Sequence, residues 1–191
     1  MLEKSKATDV AIGSVTQGGA SVESASAGGV FTVQCHDKDG NLKWEASKHN
    51  LVVNAGLQDM NAKYFKGSSY TAAWYIGLYG AGASNTPAAT DTMSSHAGWT
   101  EVTDYSQSTR PAATFGTATT ANPSVQTNSA SPATFSINAT TTVGGAFLTS
   151  DSTKGGTTGI LFSAADFASP GDRSVVSGDT LSVTYTFSLA A

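Results

Sequence analysis

Two runs of strict alternation flank an Asp-Gly pair in FTVQCHDKDGNLKWEASKHN, residues 31–50. Phe31, Val33 and Cys35 fall on one face with Thr32, Gln34 and His36 on the other, and beyond DKDGN the residues Leu42, Trp44 and Ala46 stand against Lys43, Glu45 and Ser47. A period of two sends successive side chains to opposite faces of a strand, and Asp-Gly supplies the positive φ that a tight reversal needs. The stretch therefore reads as a β-hairpin with one apolar face, and such a face must be buried against another layer.

The same period recurs along the chain. In AAWYIGLYG, Trp74, Ile76 and Leu78 oppose Tyr75 and Tyr79; WTEVTDY (99–105), TFGTA, SPATFSINATTT, GGAFLTS and TGILFSA follow, and in DTLSVTYTFSL the residues Leu181, Val183, Tyr185, Phe187 and Leu189 alternate with Ser or Thr. About eight short strands separated by Gly, Pro and Asn predict an all-β fold, an antiparallel β-sandwich or jelly-roll-like domain. One segment breaks the period: after Leu51, Val52 and Val53, the sequence NAGLQDMNAKYFKG predicts a short helix with Asn54 as N-cap, Leu57, Met60, Tyr64 and Phe65 on one face, and Gly67 as its stop. The polar excursion from Gly80 to Gly98 is long enough to predict an exposed, interfacial or mobile connection.

Residues 13–29, GSVTQGGASVESASAGG, hold too little apolar area to fold alone. The chain accordingly divides into an amino-terminal arm, residues 1–29, either a flexible tail or an extended segment ordered along a neighbouring subunit with Val10, Ile12, Val15 and Val22 as its sparse anchors, and a β-sandwich domain, residues 30–191. Only 13% of residues are charged and the net charge is −4, against about a quarter charged in an ordinary domain. Such a surface, rich in hydroxyls and small side chains, suits broad protein contacts, and the ten Lys and Arg form no basic run of the kind nucleic acid needs. No apolar run reaches the length of a signal peptide or membrane span, and the lone Cys35 excludes an intrachain disulfide. These features predict a protein made in a cytoplasm, with no nucleic-acid or membrane partner.

The candidates for chemistry are thin. Asp37, Asp39 and Asn41 alternate like the start of a calcium loop, but the glycine is misplaced and Lys48 stands where the bidentate Glu belongs. Cys35 and His36 are adjacent in a strand and leave on opposite faces, while His49 and His96 share no metal-binding spacing with them. GxSxG is absent, and YGAGAS and STKGGTTG match no phosphate loop. Asn138 opens a glycosylation sequon inside a strand pattern. Trp74, Tyr75, Tyr79, Trp99 and Tyr105 offer aromatic faces for a sugar groove, and Glu101, Asp104, Asp166 and Asp172 are scattered acids that a glycosidase would have to pair. Neither a catalytic residue, a cofactor nor a metal ligand is assigned.

The order of segments NLVVNAGLQDM, WYIGLYG, WTEVTDYSQSTRPA, SPATFSINATTTVGGAFLTSDSTKGGTTGILFSAADF and SVVSGDTLSVTYTFSL resembles a group of small structural proteins of tailed bacteriophages, over about residues 31–191. The resemblance implies a virion component made in the infected bacterium, and it supplies no catalytic residue. It leaves two locations open. One is a capsid decoration or cement protein that bridges shell subunits, its partners the major capsid protein and further copies of itself as a dimer or trimer. The other is a tail fibre, tail-tip or receptor-binding component that contacts a host glycan. The short chain without shaft repeats, and an arm suited to lying across a neighbour, favour the head.

Overall fold

The computed structural model describes residues 24–67, 69, 73–80, 86–167 and 172–191. Among them the elements run β1 (Ser26–His36), β2 (Leu42–His49), β3 (Leu51–Val52), α1 (Asn54–Phe65), β4 (Tyr75–Tyr79), β5 (Glu101–Val102), β6 (Ser124–Thr127), β7 (Ala133–Ser136), β8 (Thr141–Val143), β9 (Gly145–Thr149), β10 (Leu161–Asp166), β11 (Arg173–Val175) and β12 (Thr180–Ala190). Two antiparallel sheets face each other. The first orders β2-β1-β12-β6, with β7 also on β12; the second orders β3-β10-β9-β4-β5, and β11 and β8 form a small ribbon. The fold is the all-β sandwich with one short helix that the alternation predicts.

β1 and β12 are the backbone of the first sheet, paired from Ser26↔Ala190 to His36↔Thr180. Their inward faces, Phe31, Val33 and Cys35 with Leu181, Val183 and Tyr185, meet Ile76, Leu78, Ala146 and Leu148 of the second sheet in one core. Each large side chain so buried contributes about 1.5–3 kcal/mol. The DKDGN hairpin forms as read, with Gly40 at φ 84°. A bulge at Cys35/His36 sets Leu42 opposite His36, which turns Leu42 out to 54% exposure.

The second sheet is covered on both sides. Its outer face carries Tyr79, Phe147, Leu161 and Ala164, and onto these fold Val53, Met93 and Trp99. Gly77 pairs with Phe147 and Tyr79 with Gly145. A Cβ on Gly77 would stand 2.1 Å from the Phe147 ring, and one on Gly145 would stand 2.0 Å from that of Tyr79. Each ring thus occupies the space its glycine partner leaves, a reciprocal pair that lets two aromatics lie flat on a pleated surface.

Several expectations are corrected. β1 begins at Ser26, so residues 26–29 of the expected arm are strand, hydrogen-bonded along residues 187–190. The helix begins after Val53, which has no side-chain cap, and Asn54 is its first residue. Its docked face is not the apolar one: Gly56 is buried with its α-carbon against the Phe162 carbonyl, while Leu57, Tyr64 and Phe65 are 42%, 84% and 80% exposed. Only glycine allows that close approach, and the approach sets the rotation of the helix. Gly67 does terminate it at φ 68°. TFGTA is not a strand; it touches β6 only through isolated bonds such as Gly116 N–H to Thr127 O, 2.9 Å. WTEVTDY contributes only Glu101–Val102 and a bridge from Tyr105 to Ile137. β11 pairs with β8, and the turn at Gly178 that follows it leads into β12. Within the 80–98 connection, the described residues include buried Asp91 and Met93, so it is in part a packed cover and not an exposed loop.

Candidate functional site

Val10, Ile12, Val15 and Val22 lie outside the described residues. Residues 81–84 of YGAGAS also lie outside them; the other side chains singled out for chemistry are placed, and most prove structural. Cys35 is fully buried; loss of hydration first, then the neighbouring Asp179, pushes its thiol up to about 11, so at neutral pH it is an inert core group. His36 lies on the opposite face of β1. Asp37 holds the turn: its Oδ1 accepts from the Asp39 and Asn41 amides at 2.9 Å each and its Oδ2 from Asn41 Nδ2 at 3.1 Å. The Asn41 bonds hold its pKa below the ordinary carboxylate value. Asn138 is exposed between β7 and β8 and donates its amide to Asp104 O.

The scattered acids do not pair with one another as a glycosidase requires. Glu101 accepts two parallel bonds from Arg110, Nε to Oε1 at 2.9 Å and Nη2 to Oε2 at 2.7 Å. Arg110 is 1% exposed and also donates to the carbonyls of Asp151 and Gly156, so the pair fastens the 151–156 loop to the second sheet. Arg110 escapes a reading from sequence; its only signal there is that it is one of two arginines in a chain with few charges. Asp166, with Lys48 and His49, borders a hollow of about 410 Å³, and burial followed by Asp172 raises its pKa.

Of the aromatics read as a sugar groove, Tyr79, Trp99 and Tyr105 are buried. Trp99 packs on Tyr79 and Phe147 at 5.0 and 5.2 Å and is stacked by His96 at 3.7 Å; its indole N–H donates to Asp91. Only Trp74 among the five opens onto a cleft of about 520 Å³.

That cleft lies where the inner face of the first sheet emerges beside α1. Its floor is a run of rings: Trp74 meets Phe162 edge-on at 5.3 Å, Phe162 meets Phe187 at 5.5 Å, and Phe115 meets Tyr185 at 6.1 Å. Met60 and Leu148 complete the apolar wall, with Thr114 and Gln126 at the opening. Asp59 and Lys63, one helical turn apart, form an ion pair at 3.7 Å on the helix side. The Tyr185 hydroxyl accepts from Asn50 and Ser163 at 2.8 and 3.2 Å, and burial moves it well above the usual phenol range. An apolar trough with a paired charge at its rim is built to bury aliphatic or aromatic groups, not to activate a bond.

Sequence reasoning missed Phe115, Phe162 and Phe187 as one surface, because three separate segments bring them together. The clue was Phe187, where the alternation of β12 continues past the covered core. Among the described residues no group of His, Cys, Asp or Glu is arranged to hold a metal ion, and no helix is long and apolar enough to cross a membrane. Compared with known proteins, the chain matches no family model, no curated protein and no solved structure.

Proposed function

We propose that this chain is a structural component of a tailed-bacteriophage virion, a capsid decoration protein that stabilises the head by bridging shell subunits, and not an enzyme. One observation carries the reading: Cys35, Glu101 and Asp37, among the side chains singled out for chemistry, are taken up in holding the scaffold, whereas apolar surface remains uncovered. Cys35, Glu101 and Asp37 serve core, clamp and turn. Phe65, Tyr64 and Leu57 on α1 and Leu189 at the end of β12 stand exposed, a distribution that suits contact with other protein. The resemblance of residues 31–191 to small phage structural proteins supports the same reading.

Decoration acts by mass action. A protein that binds the assembled shell and not its free subunits stabilises the shell, and many copies on a symmetric lattice add their contributions. The test is co-sedimentation of the purified chain with assembled shells and, separately, with unassembled shell protein. Saturable binding to shells alone is the expected result; binding to neither overturns the proposal.

A tail-associated, glycan-binding component is the second reading, favoured by the aromatic cleft beside Trp74. Its mark is binding of an isolated bacterial surface glycan that is lost in Trp74→Ala.

A further inference from the structure

We infer that the cleft between α1 and β12 is the seat for residues 10–22 of a neighbouring copy, so that copies of this chain are joined by exchanged amino-terminal arms. The inference rests on the reading of that segment as a partner-reaching arm, and it names what the arm grips.

The acceptor is an inner sheet face that outruns its cover. Tyr185 is fully buried, Phe187 is half-buried, and Leu189, the next inward-facing residue, is 40% exposed. Gly29 and Gln126 flank Phe187 in register on β1 and β6. The first sheet therefore presents an apolar strip that continues out of the cleft, where an extended segment can lie along it.

The chain outside the described residues ends beside this strip. Ser26 pairs with Ala190 and Ala27 with Leu189, so β1 begins about 10 Å from the Phe187 row at ~3.3 Å per strand residue, two residues after the described chain starts. Residues 1–23 reach at most ~75 Å when extended, enough to cross to an adjacent copy. Their aliphatic side chains, Val10, Ile12, Val15 and Val22, are spaced among Gly, Ser, Ala and Thr. Small neighbours let such a segment sink into a narrow trough, and aliphatic knobs match walls of aromatic rings.

Direction selects a neighbour's arm over the chain's own. β1 is antiparallel to β12, and its first residues point outward past the carboxyl terminus. To enter its own cleft, chain preceding Ser26 would have to reverse direction, whereas a segment arriving from a second copy would meet the strip without reversal.

The test mixes two full-length populations distinguishable by mass, one carrying Ile12→Cys and the other Thr114→Cys at the cleft opening, and treats them with a short bismaleimide. Cys35 is buried and stays unreactive, which also reports that each variant is folded. Linked pairs containing one chain of each kind are expected, enriched about tenfold or more over the same experiment with Asp39→Cys at the far hairpin turn, since a seated arm sees millimolar local concentrations. The double variant Ile12→Cys/Thr114→Cys, treated alone, should give intermolecular products. No enrichment, or links formed within single chains, overturns the exchange. Either result leaves the shell-binding experiment untouched, and failure of shell binding with the mixed pairs present would overturn decoration while leaving arm exchange standing.

Discussion

Asn128 completes the hydrogen bonding of Tyr185 in the middle of β12: its Oδ1 accepts the Tyr185 amide at 2.6 Å and its own amide donates to the Tyr185 carbonyl at 3.3 Å. Its Nδ2 donates to Val183 O at 3.2 Å. β6 pairs with residues 186–189 and β7 with residues 180–183, so Asn128 is a side-chain splice across the gap between two strands that share one neighbour. Asn128→Ala leaves buried backbone groups without partners, and a loss of about 2 kcal/mol or more is expected. Urea unfolding should show a lower midpoint at an unchanged slope; an unchanged midpoint would contradict the splice.

The contrast between β12 and Asn128 shows what was legible. The alternation of residues 181–189 and the Asp-Gly hairpin were readable because their side-chain pattern is local. Asn128, Arg110 and Gly56 were not, because each acts on a segment distant in sequence: a fully buried amide, a fully buried guanidinium and a helical glycine look like loop or helix residues until their partners are known. The exposed face of α1 failed for the same reason. Periodicity marks Leu57, Tyr64 and Phe65 as its buried side, but the contact of Gly56 with the Phe162 carbonyl fixes a different rotation. The cleft lay beyond reading from sequence altogether, since three separate stretches supply Phe115, Phe162 and Phe187.

Glu101 and Arg110 give the second prediction. Removing one partner of a buried pair strands the other, at a cost of about 3–5 kcal/mol. Glu101→Gln should therefore lower stability markedly and speed amide exchange over residues 151–156, whose carbonyls Arg110 holds. A change confined to global stability, with that loop's exchange unmoved, would contradict the clamp.

Two buried tyrosines should respond in opposite ways. The Tyr105 hydroxyl has no hydrogen-bond partner among the described residues, whereas that of Tyr185 has two. Tyr105→Phe should be neutral or stabilising, while Tyr185→Phe should cost about 1 kcal/mol. Thermal unfolding of the two variants side by side checks the ordering.

Acid should act through loop carboxylates. The Asp151 carboxylate accepts from the Thr158 hydroxyl and from the Thr153 amide at 2.7 Å, which lowers its pKa from 3.8 to about 2. Because the folded value is depressed, this stabilisation is fully present above the unfolded value and is lost as pH falls through about 2. Asp151→Asn should flatten the stability profile between about pH 4 and pH 2 and leave its shape at neutral pH unchanged.

The Asp37–Asn41 turn carries a negative prediction against a cation site. Asp37 already accepts from the Asp39 and Asn41 amides, so calorimetric titration of the chain with Ca²⁺ or Zn²⁺ should give no saturable heat, and Asp39→Ala with Asn41→Ala should lower stability without changing that result.

The most direct measurement of the proposed decoration role is the number of copies of this chain per purified virion relative to the major shell protein, by quantitative mass spectrometry. Decoration predicts a fixed large fraction of the shell copy number. A handful of copies per particle, or none, would contradict it.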